Sequence, residues 1–128
     1  MAEKTKKNKP LVLVTEDDKE NQKYLELILR NKYDVDFCET PDEFYECLSQ
    51  KKYDLIIMDM TLGGEKSGLR ITKEIKDSHK YKHIPVVGLS AHVFSQDRLK
   101  AFEAGVDVYL TKPIENKKLI DTLKGLIN

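Results

Sequence analysis

The feature that most constrains the fold of this chain is a regular alternation of short apolar segments with longer amphipathic ones. The runs "PLVLVT" at 10–15, "DLIIMD" at 54–59 and "IPVVGLS" at 84–90 are almost wholly apolar, which is typical of parallel strands buried on both faces. The predicted strands span 10–15, 33–39, 54–59, 84–90 and 106–111, and the predicted helices span 18–32, 40–50, 69–78, 95–105 and 116–127. This alternation indicates an α/β domain with a doubly wound parallel sheet and helices on both faces.

The composition is that of one ordinary globular domain. The chain has 128 residues and no linker or internal repeat, so we expect a flexible tail at 1–9 and a single domain at 10–128. Its 22 basic and 22 acidic side chains give a formal net charge of zero, which argues against nucleic acid or a membrane surface as a direct partner. No apolar run is as long as a membrane span, and Cys38 and Cys47 form no CxxC pattern. We therefore expect a cytoplasmic protein with two free thiols.

Helix-boundary signals support these element predictions. Thr40 is the expected N-cap of the second helix, with Pro41 at the first helical position and Glu43 completing a capping box. Asp18 is the expected N-cap of the first helix, and Gly105 is expected to end the fourth.

Polar side chains follow the predicted strands at the ends where ligands bind in doubly wound sheets. Glu16, Asp17 and Asp18 follow the first strand, and Asp59 follows the third; Ser90 comes after the fourth, and Thr111, Lys112 and Pro113 come after the fifth. If the strand order is 2-1-3-4-5, the first and third strands are neighbours and their carboxylates converge in one crevice.

Converging carboxylates repel one another unless a cation joins them. Oxygen ligands of this kind suit Mg²⁺ or Mn²⁺. A phosphoryl group requires around it a divalent metal, a carboxylate, a hydroxyl and an ammonium. Asp59 is therefore a candidate nucleophile, Ser90 a candidate hydrogen-bond donor to the phosphoryl group, and Lys112 a candidate cation that neutralises its oxygens. Two simpler interpretations stay open: the acidic residues at 16–18 supply a helix N-terminus, and Lys112 is an ordinary surface lysine.

Four motifs together resemble the receiver domains of two-component response regulators. They are "LVLVTEDDKENQKYL", "YDLIIMDM", "PVVGLSAH" and "AGVDVYLTKPI", and the resemblance covers 10–127. It implies a flavodoxin-like (βα)₅ receiver fold with a five-stranded parallel sheet of order 2-1-3-4-5. It also implies a switch that accepts a phosphoryl group from a histidine kinase or a histidine phosphotransfer protein, and then binds a downstream protein partner. Such a chain phosphorylates and dephosphorylates itself, without the turnover of an ordinary enzyme.

The resemblance also implies a role for each matching residue. Asp59 is the phosphoacceptor. The implied metal ligands are Glu16, Asp17, Asp59 and the main-chain carbonyl of Thr61, with Asp17 as a more direct ligand than Glu16. Ser90 and Tyr109 are the implied switch residues, Lys112 is the implied phosphoryl-binding lysine, and the Lys112–Pro113 peptide bond is implied to be cis. Thr61 and His92 lie two residues beyond Asp59 and Ser90, at positions that tune hydrolysis in this family; an alternative is that His92 is a solvated loop residue.

The loop after Asp59 departs from the commonest family pattern. It reads "MTLGGEKSG", lacks the usual proline, and has one additional residue before Gly68. Its glycines allow positive φ and predict a mobile loop. The geometry around Gly63 to Ser67 therefore differs from the family pattern, and we expect it to affect kinase specificity or phosphoryl lifetime.

Three other function classes fit less well. An Asp-nucleophile phosphatase commonly carries a second Asp where this chain has Thr61. A flavodoxin-like cofactor binder would meet repulsion from "TEDDKEN" after the first strand, and a pseudo-receiver that binds partners without phosphorylation would not need the full set of polar residues. The initiating Met1 favours a stand-alone regulator over a receiver excised from a hybrid kinase.

Overall fold

The computed structural model describes residues 9–61, 67–91 and 95–127 and confirms the predicted alternation. Its strands are β1 (Leu11–Thr15), β2 (Asp34–Cys38), β3 (Leu55–Asp59), β4 (Val86–Ser90) and β5 (Val108–Thr111), and its helices are α1 (Lys19–Leu29), α2 (Pro41–Gln50), α3 (Ser67–Lys76), α4 (Ser95–Ala104) and α5 (Asn116–Ile127). Residues 1–8 of the predicted tail lie outside the described part.

Several boundaries differ from the predictions, among them α3 at Ser67–Lys76 rather than 69–78 and β5 at Val108–Thr111 rather than 106–111, and two of the differences have clear backbone reasons. Helix α1 ends at Leu29 rather than at residue 32, because the N–H groups of Lys32 and Tyr33 both donate to the carbonyl of Leu29 and turn the chain. Strand β4 begins at Val86 rather than at residue 84, after Pro85, which has no N–H to donate to a ladder.

The five strands form one parallel sheet of order β2-β1-β3-β4-β5. Strand β1 lies between β2 and β3, with Thr15 beside Met58 at its carboxyl end. Strand β4 lies beside β3, with Leu89 opposite Asp59. The order therefore brings the residues after β1 and those after β3 to the same point of the sheet edge, as predicted.

Successive strand residues point to opposite faces of the sheet, and each face is covered by its own helices. One core contains residues of β1, β3, α2, α3 and α4, including Leu13, Ile56, Phe44, Ile75 and Ala101. The other contains residues of the same strands with α1 and α5, including Val12, Ile57, Leu25, Leu29 and Leu119. Since both faces are buried there, the strands β1, β3 and β4 are almost wholly apolar, whereas the edge strand β2 carries Asp34 and Asp36. No helix in the described ranges has both the length and the apolar character required to cross a membrane.

The predicted helix ends are present, with one change. The Asp18 carboxylate accepts from the N–H of Asn21 at 3.1 Å, and the Thr40 hydroxyl accepts from the N–H of Glu43 at 3.1 Å, so both N-caps are confirmed. The carboxylate of Glu43 accepts from the N–H of Glu39 at 2.8 Å, one residue earlier than in the predicted capping box. Gly105 follows α4 with φ of 114°, a conformation that favours glycine.

Burial protects one of the two thiols from reaction. Cys38 is 1% exposed and burial, the largest cause, raises its pKa from 9.0 to about 12. We expect Cys38 to stay unlabelled by iodoacetamide at pH 8 in the folded protein and to react after unfolding in urea, since the thiolate is the nucleophile. Its contribution to stability is complete below pH 9.0 and declines as the pH rises towards 12. Peptide mass mapping of Cys38 measures this, and rapid labelling of the native protein would contradict it.

Candidate functional site

Three carboxylates meet where β1 and β3 end. One ligand oxygen from each of Glu16, Asp17 and Asp59 lies within 4.8 Å of the others. Glu16 is 1% exposed and Asp59 is 4% exposed, whereas Asp17 faces solvent. The predicted convergence of the acidic residues is therefore present, and the close approach of three anions defines a place for a hard cation.

Lys112, which directly follows β5, connects two of these carboxylates. Its ammonium lies 3.0 Å from Oε1 of Glu16 and 3.4 Å from Oδ2 of Asp59. Burial works against the charged form of Lys112, but its hydrogen bond to Glu16 and the negative charges of Asp59 and Glu16 outweigh burial and raise its pKa. Lys112 is therefore not the ordinary surface lysine of the simpler interpretation: it stays a cation at neutral pH and offsets the cost of burying two carboxylates.

The two oxygens of Asp59 have different surroundings. Oδ1 accepts from the N–H of Thr61 at 3.0 Å and from the Thr61 hydroxyl at 2.9 Å. Oδ2 is the oxygen that faces Lys112. Because Thr61 already occupies Oδ1 with two donors, Oδ2 is the oxygen more directly presented to an incoming electrophile.

Glu16 is held from several directions. Its Oε2 accepts from the N–H of Asp18 at 3.1 Å, and its main-chain carbonyl accepts from Nε2 of Gln22 at 2.6 Å. With Oε1 bound to Lys112, both carboxylate oxygens of Glu16 have protein donors. Asp17, in contrast, faces solvent.

Two residues that position Asp59 were missed from the sequence. The Thr15 hydroxyl, 1% exposed, accepts from the N–H of Asp59 at 2.8 Å. Gly68 was predicted in a mobile loop, but it lies in α3 and is buried. A Cβ on Gly68 would lie 2.3 Å from the carbonyl oxygen of Asp59. The sequence did carry a signal for Thr15, because its hydroxyl ends an otherwise apolar strand. It carried none for Gly68, because the close approach of two backbone segments leaves no pattern in a sequence.

Of the remaining predicted residues, the structure describes Ser90, Tyr109, Thr61 and Pro113. Ser90 ends β4 and is 2% exposed, and Tyr109 on β5 is 7% exposed. The Lys112–Pro113 peptide bond is cis, as predicted. Thr61 lies in the segment directly after β3. His92 and residues 62–66, which include most of the unusual glycine loop, lie outside the described residues.

Comparisons with known proteins agree on one family. The family model for the response regulator receiver domain matches residues 12–124. The polar-differentiation response regulator DivK of Brucella anthropi is 32% identical over 117 residues, which cover 91% of this chain and 94% of DivK. These matches cover nearly the whole of the described domain.

Solved structures give the same result. The receiver domain of the sensor histidine kinase PA1611 from Pseudomonas aeruginosa, which holds a magnesium ion in its active-site cleft, superimposes with a TM-score of 0.83 at 28% identity, covering 93% of this chain and 98% of that one. A two-component response regulator from Clostridium difficile superimposes with a TM-score of 0.84 at 27% identity, covering 92% and 95%.

Proposed function

The chain belongs to the response regulator receiver domain family, and we propose that it is a signalling switch that accepts a phosphoryl group on Asp59. The observation that carries this proposal is the position of the Asp59 carboxylate, between the Lys112 ammonium at 3.4 Å and two further carboxylates within 4.8 Å. A lone buried carboxylate would be costly. The Lys112 ammonium compensates this one, and the two neighbouring carboxylates would share a cation with it, which is the arrangement that phosphoryl transfer to a carboxylate requires.

The donor set fits a hard divalent ion. Asp17, Glu16 and Asp59 supply oxygen atoms, which suit Mg²⁺ or Mn²⁺, and the proposed fourth contribution is the carbonyl of Thr61. When bound, the ion would neutralise charge on the phosphoryl oxygens and on the carboxylates. The magnesium in the PA1611 receiver domain supports the same choice here.

The proposed reaction starts from a phosphohistidine on a histidine kinase or a histidine phosphotransfer protein. Oδ2 of Asp59 attacks phosphorus, a P–O bond forms, and the P–N bond breaks with its electron pair going to the histidine nitrogen. The Lys112 ammonium exchanges its contact with Asp59 for an ion pair with the phosphoryl oxygens, and the Ser90 hydroxyl donates a hydrogen bond to one of them. Thr61 keeps Oδ1 in place through its two hydrogen bonds.

The proposed output is a change of the face formed by α4, β5 and α5. Movement of Ser90 towards the phosphoryl group frees space that Tyr109 occupies, and a downstream protein partner binds the changed face. We propose that this takes place in the cytoplasm, without direct binding to nucleic acid or membrane.

Phosphodonor chemistry tests the proposed function. Incubation with acetyl phosphate and Mg²⁺ should give a phosphate-sized gain in intact mass that hydroxylamine removes. Asp59→Asn should abolish the gain, and chelation of the metal should reduce it strongly. An equal gain in Asp59→Asn, or no gain with any phosphodonor, would exclude the switch.

We predict that Thr61 and His92 set the lifetime of the phosphorylated form. The Thr61 hydroxyl contacts the acceptor carboxylate directly, so Thr61→Ala should change the rate of dephosphorylation by about three- to tenfold, the effect of losing one hydrogen bond of about 1 kcal/mol. Decay of the phosphorylated mass in the presence of Mg²⁺ measures this. The tuning hypothesis is wrong if Thr61→Ala and His92→Ala both decay at the wild-type rate.

The alternatives predict different outcomes. A phosphatase would hydrolyse aryl phosphates with turnover, but the position of the usual second Asp is taken by Thr61, which cannot supply a leaving-group proton in the same way. A pseudo-receiver would bind its partner equally well with and without phosphodonor.

A further inference from the structure

A tyrosine hydroxyl of α1 is bound to the segment that follows β5. The Tyr24 hydroxyl donates to the main-chain carbonyl of Ile114 at 2.7 Å. The Tyr24 residue is 44% exposed, so apolar burial is not its main contribution, whereas Ile114 is buried in the same core as Leu25 and Leu119. The hydrogen bond therefore fastens α1 to a point of the backbone two residues beyond Lys112.

The backbone is held on both sides of the Lys112 side chain. Before it, the N–H of Lys112 donates to the carbonyl of Ser90 at 2.8 Å. Pro113 follows and has no N–H to donate, and then the carbonyl of Ile114 accepts from Tyr24. The direction in which the Lys112 side chain leaves the backbone therefore depends on β4 on one side and on α1 on the other.

The contacts of the Lys112 ammonium are sensitive to a small shift of this segment. Its 3.0 Å distance to Oε1 of Glu16 is ordinary for a hydrogen bond, whereas its 3.4 Å distance to Oδ2 of Asp59 is already long. A cavity of about 60 Å³ lies beside the segment and is lined by residues that include Tyr24, Lys112 and Pro113. The segment therefore has space to move, and the contact with Asp59 is the first that a movement would break.

We propose that Tyr24 is a positioning residue for phosphoryl transfer, whose hydroxyl fixes the segment after β5 and thereby directs the Lys112 ammonium at Asp59. This inference rests on the proposed function, in which Lys112 pairs with the phosphoryl oxygens. Without the hydroxyl the segment shifts towards the cavity, and the ammonium keeps Glu16 but loses Asp59. Tyr24 itself touches neither the acceptor nor the phosphoryl group in this proposal and acts through Lys112.

The substitution Tyr24→Phe removes the hydroxyl and keeps the ring. The net loss of one hydrogen bond shifts an equilibrium by about two- to tenfold, so the rate of mass gain with acetyl phosphate and saturating Mg²⁺ should fall by that factor. Tyr45→Phe is the matched control. Tyr45 is 37% exposed, and its hydroxyl also joins two elements, because it donates to the carboxylate of Glu74 and so connects α2 to α3. Tyr45→Phe should be phosphorylated at the wild-type rate.

A second measurement reports on the Lys112 ammonium directly, without Mg²⁺ or phosphodonor. The folded protein is acetylated briefly with a limiting amount of sulfosuccinimidyl acetate, and the modification of Lys112 relative to the exposed Lys117 is measured by peptide mass mapping. Two carboxylates shield the Lys112 ammonium in the wild type. We expect Tyr24→Phe to increase the relative acetylation of Lys112 about two- to tenfold and Tyr45→Phe to leave it unchanged, whereas a general loss of stability would increase it in both variants.

Equal acetylation of Lys112 in wild type, Tyr24→Phe and Tyr45→Phe would overturn the positioning role, even if Tyr24→Phe were phosphorylated slowly. An equal increase in both variants would also overturn it. The proposed function is judged separately, on the mass gain of the wild type. No mass gain in any variant refutes the proposed function alone, and the acetylation data still decide whether Tyr24 directs Lys112.

Discussion

Replacing Gly68 with alanine should destabilise the protein by about 3 kcal/mol and slow its phosphorylation by about two orders of magnitude. The new Cβ would lie 2.3 Å from the carbonyl oxygen of Asp59, 2.6 Å from Cα of Met60 and 2.7 Å from the Met60 carbonyl carbon. All three are backbone atoms, so no side chain can rotate away to make room. Helix α3 or the end of β3 with Met60 must move, and the end of β3 carries the proposed acceptor, Asp59.

Gly125 provides the matched control for this substitution. It also lies in a helix, α5, but a Cβ there would meet no atom within 4 Å. Gly125→Ala should therefore stabilise the protein by about 0.5–1 kcal/mol through helix propensity and leave phosphorylation unchanged. Urea unfolding and the rate of mass gain with acetyl phosphate measure both variants. Equal stability and equal rates for Gly68→Ala and Gly125→Ala would show that α3 does not press on the acceptor.

Lys112→Met should produce the second large effect, because it removes the cation from between two buried carboxylates. We expect the free energy of unfolding at pH 7 to fall by about 2 kcal/mol. This is less than the cost of breaking a fully buried ion pair, because the Lys112 side chain is 24% exposed. The phosphorylation rate should fall about 100-fold, as when one group that stabilises developing charge is removed. Mg²⁺ should stabilise the variant, since the ion binds the folded state and compensates the same two anions.

The pH dependence of this effect follows from the raised pKa of Lys112. The contribution of Lys112 is complete below the ordinary lysine value of 10.5 and is lost only as the pH rises through the raised pKa. The difference in unfolding free energy between wild type and Lys112→Met should therefore stay constant between pH 7 and pH 9. Lys117→Met is the control, because Lys117 forms an exposed pair with Asp121 and should cost little. Equal effects of Lys112→Met and Lys117→Met would contradict the proposed role of Lys112.

The helices, the strands and their alternation could be predicted almost completely from periodicity and helix-boundary signals, whereas the strand order came from the resemblance to receiver domains. Fully buried parallel strands leave a strong sequence signal, and caps such as Thr40 mark helix starts by local chemistry alone. The errors lie at element ends, where competing backbone hydrogen bonds, such as those to the carbonyl of Leu29, decide the boundary.

The site could be predicted in part, because the residue types at the strand ends are visible in the sequence and the resemblance supplies the strand order. Strand order places Glu16 and Asp59 in one crevice, and residue type then suggests metal and phosphoryl chemistry. The contacts that hold Asp59 could not be predicted, because they depend on distances between distant segments. Thr15 and Gly68 look like an ordinary strand residue and a loop glycine in the sequence, and only the folded chain brings both against the acceptor.

Locating the phosphoryl group on the chain tests the central claim most directly. The protein is phosphorylated with acetyl phosphate and Mg²⁺, reduced with borohydride, which converts an aspartyl phosphate to homoserine, and mapped by tandem mass spectrometry. We predict homoserine at position 59 and at no other aspartate. Phosphate on a hydroxyl or histidine side chain, or homoserine at Asp17 with Asp59 intact, would contradict the account.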